Sequence, residues 1–279
     1  MNGKLYLCAT PIGNLGDITY RCVEVLNSVD LIAAEDTRRT LGLLNHLEIE
    51  KPLTSYFEHN KKEKGEYLIS EMKQGKNIAL VSDAGTPAIS DPGEDLVKMC
   101  AEAGIDVVPV PGAVAGINAL ISSGLSTQRF TFEGFLTVNK RGRTEHLKSI
   151  ADEQRTMIFY EAPHKLMSTL RDMLEILGDR KIALCREITK IHDEIYRTTF
   201  SEAIKRYEEN PPRGEFVIVI EGKKEEEIAA EKEAVWQQMS VSDHVEMYIK
   251  QGMAEKDALK AVAKDRGVSK RDIYNEYKR

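Results

Sequence analysis

Short apolar runs alternate with longer helical patterns through the first half of the chain. Four runs have the length and composition of strands buried in a parallel sheet: 4–9, 30–34, 77–81 and 105–109. Helical patterns lie between or after them at 19–28, 37–47, 58–74, 93–103 and 113–123, and Gly75 and Gly104 are suited to end two of these helices. The alternation predicts an α/β domain with a parallel sheet over residues 1–124.

A second region, rich in strand patterns, begins at Phe130 after a boundary near 124–129. Further strands are predicted at 155–161, 181–186, 194–200 and 215–221, with helices at 164–177 and 201–209. These patterns predict a second α/β domain over residues 125–222. The glutamate-rich stretch that follows is typical of a solvated linker or an exposed helix, and we assign an acidic linker to 223–239.

The last forty residues contain three short helical patterns at 242–251, 254–266 and 269–277. Within this tail of residues 240–279, the spacing of Val262-Ala263, Gly267 and Ile273 is that of a helix-turn-helix motif. Arg266 and Glu276, however, stand where such motifs place apolar residues. The tail is therefore either a docking unit or a three-helix cap.

The composition is that of a folded protein, because 42% of the residues are hydrophobic and 30% are charged. A net charge of −6 is unusual for a protein that only coats nucleic acid, so nucleic-acid contacts would need local basic patches. The sequence has no membrane-length apolar run and no signal-peptide pattern, and we expect a cytoplasmic protein without a membrane partner. The spacing of its cysteines and histidines predicts reduced, buried thiols and no protein-bound metal.

Three loops rich in glycine and proline follow predicted strands: 10–17, 82–93 and 109–113. Glycine allows a ligand to approach the backbone closely, while proline fixes the shape of a loop. One such loop alone would be a tight turn, but three at the carboxyl edge of one sheet favour a ligand cleft. The loops lack both the dinucleotide and the triphosphate glycine motifs.

Several runs resemble one branch of the tetrapyrrole methylase superfamily. They are Ala9-Thr10-Pro11-Ile12-Gly13-Asn14-Leu15-Gly16-Asp17-Ile18-Thr19, Ala34-Glu35-Asp36-Thr37-Arg38, Ser82-Asp83-Ala84-Gly85-Thr86-Pro87, Pro111-Gly112-Ala113, Gly134-Phe135-Leu136, Phe159-Tyr160-Glu161-Ala162-Pro163-His164 and Gly214-Glu215-Phe216. This branch, the small-subunit ribosomal RNA methyltransferases I, methylates the ribose 2′-hydroxyl of a decoding-region cytidine in 16S rRNA. The resemblance extends over residues 3–222 and into the helical tail.

The resemblance implies a class III methyltransferase fold, with two α/β domains, S-adenosyl-L-methionine in the cleft between them, and a homodimer. It implies cofactor contacts from the first domain at Pro11, Asp83, Gly85, Thr86, Ala88, Ile89, Ala113 and Val114. It also implies contacts from the second domain at Tyr160, Arg186 and Gly214. The chemistry is consistent, because a carboxylate and backbone carbonyls suit the cationic groups of this cofactor.

A ribose hydroxyl is a poor nucleophile until its proton leaves, so a nearby base or cation would assist methyl transfer. Glu35, Asp36 and Arg38 follow the second predicted strand and are the first candidates for this role, with Glu161 as a second candidate base. An equally good explanation of the first group is a helix N-terminus, where acidic residues balance the helix dipole and Arg38 pairs with one of them.

Basic residues predict two RNA contacts. Lys140, Arg141 and Arg143 surround a glycine in a predicted loop, and Lys270 and Arg271 lie in the first turn of the last helix. Arg38-Arg39 could extend this surface. The expected partner is 16S rRNA within the small ribosomal subunit. Two alternatives remain: a precorrin or related tetrapyrrole methylase of the same fold, and a non-catalytic RNA-binding assembly factor.

Overall fold

The computed structural model of the chain describes residues 2–278, apart from the side chains of residues 231, 232, 235 and 237. These residues form two compact units. The first comprises residues up to Ala151 together with Arg155–Glu221, and the second comprises Asp152–Gln154 and the residues from Gly222 onward. Both sheets of the protein belong to the first unit, so a domain boundary between them near residue 124 remains a proposal.

The first sheet has five parallel strands in the order β3-β2-β4-β1-β5. They are β1 (Leu5–Cys8), β2 (Leu31–Ala34), β3 (Leu53–Ser55), β4 (Ile78–Val81) and β5 (Val107–Val110). Every residue of β2 and β4 is buried, as expected of central parallel strands covered on both faces. The four strands predicted from apolar runs are confirmed, while β3, a half-buried strand of three residues, was not predicted.

Four helices and one short 3₁₀ turn (Leu15–Asp17) accompany this sheet: α1 (Tyr20–Ser28), α2 (Thr37–His46), α3 (Lys61–Lys73) and α4 (Gly93–Glu102). Leu26 of α1 and Leu44 of α2 pack on one face of the sheet, and Met72 of α3 and Leu96 of α4 pack on the other. The result is a three-layer α/β/α arrangement, in which the carboxyl ends of the strands remain open to loops.

The second sheet is mixed and has the order β6-β7-β10-β8-β9. Its strands are β6 (Phe130–Phe135), β7 (Thr156–Glu161), β8 (Lys181–Arg186), β9 (Glu194–Thr199) and β10 (Phe216–Ile220). The edge strand β6 runs parallel to β7, and the other neighbours pair antiparallel. The register of β6 shifts between Phe132 and Gly134, which bends this edge strand.

The second sheet is also covered on both faces by helices, namely α5 (Ala115–Ser123), α6 (Lys140–Ser149), α7 (Pro163–Leu177) and α8 (Phe200–Glu209). One face packs against Leu147, Leu170 and Phe200 of the last three helices. The other packs against Ala119 and Leu120 of α5. Thus α5, which precedes the boundary expected near residue 124, contributes its apolar face to the second sheet.

The basic segment 139–143, predicted as a loop, is instead the start of helix α6. Asn139 caps this helix, because its side chain accepts a hydrogen bond of 3.1 Å from the backbone N–H of Gly142. Leu147 is the buried residue of the helix, so the sequence offers little of the apolar periodicity from which a helix is predicted.

The second unit contains α9 (Glu225–Gln238), α10 (Val241–Lys250), α11 (Glu255–Asp265) and α12 (Lys270–Tyr277). The acidic stretch predicted as a linker or an exposed helix is therefore helical over most of its length. The three predicted tail helices are confirmed, and Val245, Leu259, Val262 and Ile273 lie in their common core. In the part of the chain that the structure describes, no helix is long and apolar enough to cross a membrane.

Candidate active site

The three glycine-rich loops meet at the carboxyl edge of the first sheet. Thr10 and Gly85 exchange two backbone hydrogen bonds, with N···O distances of 2.9 and 3.1 Å. The hydroxyl of Thr86 donates to the carbonyl oxygen of Ala113 at 3.0 Å. The loops after β1, β4 and β5 are thereby joined into one wall, as the sequence predicts.

A cavity of about 470 Å³ lies between this wall and the second sheet, a volume suited to a small cofactor. The first sheet and its loops contribute Ile12, Glu35, Arg39, Ser82, Asp83, Ala84, Gly85, Thr86, Ile89, Ser90, Asp91 and Val114. The second sheet, α5 and their loops contribute Ala115, Phe135, Tyr160, Glu161, Ala162, Cys185, Glu187, Ile188, Lys190, Glu215, Phe216 and Val217. Six predicted cofactor contacts line the cavity: Asp83, Gly85, Thr86, Ile89, Val114 and Tyr160.

The loop after β4 is held in an unusual backbone conformation. Ala88 and Ser90 have φ angles of 69° and 62°, which L-residues with a side chain rarely adopt. Asp91 stabilises this shape, since its Oδ1 accepts hydrogen bonds from the backbone N–H groups of Ala88 (2.9 Å) and Gly93 (2.8 Å). Burial raises the pKa of Asp91, although these two donors oppose the shift. Such strain is characteristic of functional loops.

Gly85 lines the cavity with backbone alone. Its φ is +82°, and a Cβ at this position would lie 3.1 Å from Cγ2 of Ile12 and 3.3 Å from the carbonyl oxygen of Ala113. A side chain would therefore be strained and would crowd both neighbouring loops. The cavity wall requires glycine here.

Glu35, Asp83 and Arg39 form a charged group on the wall of the cavity. Asp83 Oδ1 accepts a hydrogen bond of 3.1 Å from the backbone N–H of Asp36, and Asp83 Oδ2 lies 3.2 Å from Nη1 of Arg39. Burial raises the pKa of Glu35, and the negative charge of Asp83 raises it further. Glu35 is thus a half-buried carboxyl group that binds a proton more readily than an exposed one.

Asp36 and Arg38 lie outside the cavity lining. Asp36 caps α2 by accepting a hydrogen bond of 2.9 Å from the backbone N–H of Arg38, and its Oδ2 lies 3.0 Å from Nη2 of the same residue. Hydrogen bonds from Arg38 lower the pKa of Asp36 to about 2. These two residues have the helix-terminus role that the sequence offered as the alternative to catalysis.

Glu161 and Tyr160 bring the end of β7 to the cavity. Both carboxylate oxygens of Glu161 are engaged, Oε2 by the hydroxyl of Thr169 (2.6 Å) and Oε1 by the backbone N–H of Ala162 (2.9 Å). The hydroxyl of Tyr160 accepts a hydrogen bond of 3.0 Å from the backbone N–H of Gly116. Burial raises the pKa of Tyr160, so its hydroxyl stays neutral.

The remaining predicted cofactor contacts, Pro11, Ala88, Ala113, Arg186 and Gly214, do not line the cavity. Ala113 supports the wall through its bond from Thr86, and Gly214 lies behind Glu187, where a Cβ would meet Cγ of that residue at 2.5 Å. Nε of Arg186 lies 3.4 Å from Glu194 Oε2. Ala113 and Gly214 therefore contact residues of the lining without lining the cavity themselves.

Sequence reasoning missed three charged residues that line the cavity from the second sheet and its loops, namely Glu187, Lys190 and Glu215. Lys190 and Glu187 form an ion pair of 2.9 Å, and the aliphatic stem of Lys190 lies over Gly13, where a Cβ would meet its Cγ at 2.3 Å. Lys190 therefore spans from the second sheet to the loop after β1. No glycine-rich or acidic motif marks this segment in the sequence.

The predicted RNA-contact residues differ in their solvent exposure and in whether they form ion pairs. Lys140 and Arg141 are exposed at the start of α6, although Arg141 lies 2.8 Å from Glu145. Arg143 is a correction: its Nε donates to Asp172 Oδ2 at 2.6 Å, and only 13% of its side chain is exposed. Because this ion pair joins α6 to α7, we withdraw Arg143 as a phosphate contact. In the second unit, Lys270 is half-buried and Arg271 exposed.

Comparison with known proteins decides the family. Residues 4–204 match the family of Tetrapyrrole (Corrin/Porphyrin) Methylases. The chain belongs to this family. Proteins named "Ribosomal RNA small subunit methyltransferase I" are 51% identical in Bacillus subtilis and 50% identical in Halalkalibacterium halodurans, each over 99% of this chain and 94% of the relative. The tetrapyrrole methylase identification and the predicted methyltransferase activity are therefore confirmed.

A solved structure shares the fold of this family member. The uroporphyrin-III-C-methyltransferase from Thermus thermophilus superposes with a TM-score of 0.56 and 18% identity, covering 78% of this chain and 94% of its own. At this identity the likeness is one of fold. It confirms the predicted α/β class III methyltransferase architecture.

Proposed function

We propose that this protein methylates the ribose 2′-hydroxyl of a cytidine in the decoding region of 16S rRNA. The observation that carries the proposal is its 50–51% identity, over nearly the whole chain, to proteins named as small-subunit ribosomal RNA methyltransferases. The tetrapyrrole methyltransferase of the same fold is only 18% identical. Ribosomal RNA is therefore a better-supported substrate than a precorrin.

S-adenosyl-L-methionine is the methyl donor, and the cavity fits it. The fit rests on three features: the carboxylate of Asp83 for a cationic group, the open backbone at Gly85, and apolar side chains such as Ile12 and Ile89 for the body of the cofactor. Asp83, Gly85, Val114 and Tyr160 would hold it. When bound, it supplies an electrophilic methyl group attached to a sulfonium.

Glu35 is the residue that we propose accepts the proton of the ribose hydroxyl. It lines the cavity, and the neighbouring Asp83 together with burial raises its pKa towards the range useful for a general base. Glu161 also lines the cavity, but Thr169 and Ala162 occupy its two oxygens. The Glu35 carboxylate accepts a hydrogen bond from one backbone N–H, that of Asp83, and is the less engaged of the two candidate bases.

The substrate we propose is the assembled small ribosomal subunit, met in the cytoplasm. Because the protein carries a net charge of −6, it would bind short RNA weakly by charge alone. Lys140 and Arg141 on α6 and Lys270 and Arg271 on α12 are the proposed phosphate contacts.

A protein truncated near Lys224 should bind S-adenosyl-L-methionine but methylate the ribosomal subunit poorly. Full activity after truncation would show that the tail makes no such contact.

The homodimer remains a proposal, and exposed apolar side chains support it. Ile117 and Ile121 of α5 and Phe130 and Phe132 of β6 are each at least 40% exposed, and Ile121 reaches 68%. Contiguous exposed apolar side chains are typical of an interface, and a two-fold dimer needs one self-complementary patch. Sedimentation of an Ile121→Glu variant tests this surface. A charge at position 121 would disrupt an apolar interface, so the variant is expected to sediment as a monomer while the wild type sediments as a dimer.

Mass mapping of ribose methylation on 16S rRNA tests the proposed function. Deletion of the protein should remove one ribose methyl group from the decoding region, and the wild-type chain should restore it whereas Glu35→Gln should not. A methyl group that persists after deletion would contradict the proposal. Restoration by a variant unable to bind S-adenosyl-L-methionine would indicate a non-catalytic assembly factor instead.

A further inference from the structure

The wall of the cavity is strongly acidic. Among the described residues that line it, there are six carboxylates: Glu35, Asp83, Asp91, Glu161, Glu187 and Glu215. Two cationic side chains, Arg39 and Lys190, accompany them in the same described lining. This charge suits a cationic cofactor. A nucleic acid, however, carries a negative charge on each phosphate, so any phosphate near this wall needs a cation to offset the repulsion.

The two cations are held very differently. Lys190 Nζ lies 2.9 Å from Glu187 Oε2 and 3.6 Å from Glu215 Oε2, so two carboxylates already balance its charge. Within the part of the chain that the structure describes, Arg39 has one ion pair, at 3.2 Å to Asp83, and 67% of its side chain is exposed. A guanidinium carries five N–H donors, and one carboxylate oxygen leaves most of them available. Arg39 is the cation able to accept a phosphate.

The position of Arg39 is fixed by the structure around it. It lies in the first turn of α2, the helix that Asp36 caps, and Asp83 is itself held by the backbone N–H of Asp36 at 3.1 Å. Arg39 therefore projects from a capped helix end onto the same wall as Glu35. The adjacent Arg38 differs, because it pairs with Asp36 outside the cavity lining.

We infer that Arg39 binds a phosphodiester group next to the target ribose and so positions the 2′-hydroxyl beside Glu35. The inference rests on the proposed function and adds the group that the enzyme recognises. Guanidinium and phosphate match in a planar, two-point hydrogen bond, which fixes orientation as well as distance. Arg39 thus offsets the repulsion between one RNA phosphate and the acidic cavity wall. The same contact orients the ribose next to that phosphate.

Steady-state kinetics on small ribosomal subunits, with cofactor titrations of the same preparations, tests this role. For Arg39→Ala we expect the KM for the subunit to rise about tenfold or more, as for loss of one hydrogen bond to a charged group. The salt dependence of binding should weaken by about one phosphate contact. The affinity for S-adenosyl-L-methionine should fall much less than kcat/KM does, because Asp83 keeps its hydrogen bond from the backbone N–H of Asp36 when Arg39 is removed.

Two further variants sharpen the test. Arg39→Lys keeps the charge without the planar fork and should recover part of the KM effect. Arg171→Ala is the matched control, because Arg171 is also exposed, also makes one ion pair (2.9 Å to Glu208), and lies outside the lining; its kinetics should equal those of the wild type. An unchanged KM and salt dependence in Arg39→Ala would overturn the inference while leaving the proposed function intact.

A loss of cofactor affinity equal to the loss in kcat/KM would also overturn it, since Arg39 would then act only by holding Asp83. If the wild-type protein itself fails to methylate the subunit, the proposed function is wrong, and that failure is visible before any variant is compared.

Discussion

The hydroxyl of Tyr160 accepts a hydrogen bond of 3.0 Å from the backbone N–H of Gly116. This bond joins the end of β7 to the first turn of α5. The two residues before Gly116, Val114 and Ala115, line the cavity. Phe132 and Phe135 hold the Tyr160 ring edge-on, with ring centroids 5.1 and 5.4 Å away. The phenol of Tyr160 therefore joins the end of β7 to the start of α5 at the edge of the cavity.

Removal of this hydroxyl in Tyr160→Phe should lower the free energy of unfolding by about 1 kcal/mol, because the Gly116 N–H loses its acceptor. The affinity for S-adenosyl-L-methionine should fall as well, since Val114 and Ala115 are less well fixed. Thermal unfolding and calorimetric titration measure the two effects. Tyr20→Phe serves as control because Tyr20 is 92% exposed, and equal behaviour of the two variants would show that the bond is unimportant.

A second prediction concerns Gly85. Gly85→Ala introduces backbone strain at φ +82° together with contacts to Ile12 and Ala113, so we expect strongly reduced cofactor affinity. Gly104→Ala is the matched control, since Gly104 also has a positive φ of +64° but has open space around its Cβ position. Both variants should lose stability of about 1 kcal/mol or more from backbone strain. Only the first should lose cofactor affinity, and similar affinities would contradict the requirement for glycine at position 85 of the cavity wall.

The raised pKa of Glu35 predicts opposite effects on activity and stability. As a base, Glu35 must be ionised, so methyl transfer should decline as the pH falls through its raised pKa. The native state binds this proton more tightly than the unfolded chain does. The free energy of unfolding therefore decreases as the pH rises from the ordinary carboxyl range through the raised pKa.

Glu35→Gln should consequently lose activity while gaining thermal stability at neutral pH. The adjacent carboxylate provides the comparison, because Asp36→Asn keeps a helix cap and removes no cavity-lining charge. We expect Asp36→Asn to retain most activity, as measured by methyl transfer to ribosomal subunits across a pH series. A comparable loss of methyl-transfer activity in both variants would indicate that Asp36 also takes part in catalysis.

Much of the fold follows from local sequence patterns. Apolar runs bounded by turn residues predict β1, β2, β4 and β5, since a buried parallel strand leaves little choice of residue type. The sequence Leu53–Ser55 carries no such run, and its strand exists because it pairs with β2 at the edge of the sheet. Helix α6 is similar, because its conformation depends on the Asn139 cap and the Arg143–Asp172 ion pair.

Some residues of the candidate site can likewise be predicted from local sequence patterns, whereas others depend on the tertiary structure. Glycine and proline mark the loops, so Asp83, Gly85 and Thr86 could be predicted. Lys190 reaches the cavity only because the second sheet faces the first, which no local pattern encodes. Arg39 carried no such signal, because Glu35 precedes the N-cap residue Asp36 and does not share a helix face with Arg39.

Arg266 illustrates a mismatch with a motif that the structure explains. It stands at an apolar position of the helix-turn-helix pattern, yet its guanidinium donates to the carbonyl oxygens of Trp236 (2.8 Å) and Met239 (2.6 Å) at the end of α9. Its Nε also donates to Nδ1 of His244 at 3.2 Å. Arg266 therefore ties α11 to the preceding helices, which an apolar side chain could not do.

His244 itself supports the last prediction. It is fully buried, and its ring stacks between Trp236 and Tyr248, with centroid distances of 5.2 and 5.5 Å. Its Nε2 lies 3.5 Å from Asp265 Oδ2, an oxygen that also accepts the hydroxyl of Tyr248 at 2.6 Å. Burial lowers the pKa of His244 and the positive charge of Arg266 lowers it further, while Asp265 opposes both.

Because the native state binds this proton less tightly than the unfolded chain, acid should destabilise the second unit. The free energy of unfolding should fall as the pH drops from the ordinary histidine range, near 6.5, towards the lowered pKa of His244. Trp236 is the single tryptophan of the chain and stacks on His244, so its fluorescence during unfolding reports on this unit. His244→Phe should remove the pH dependence, whereas His192→Phe, at an exposed position, should leave it unchanged. Persistence of the acid effect in His244→Phe would assign it to another group.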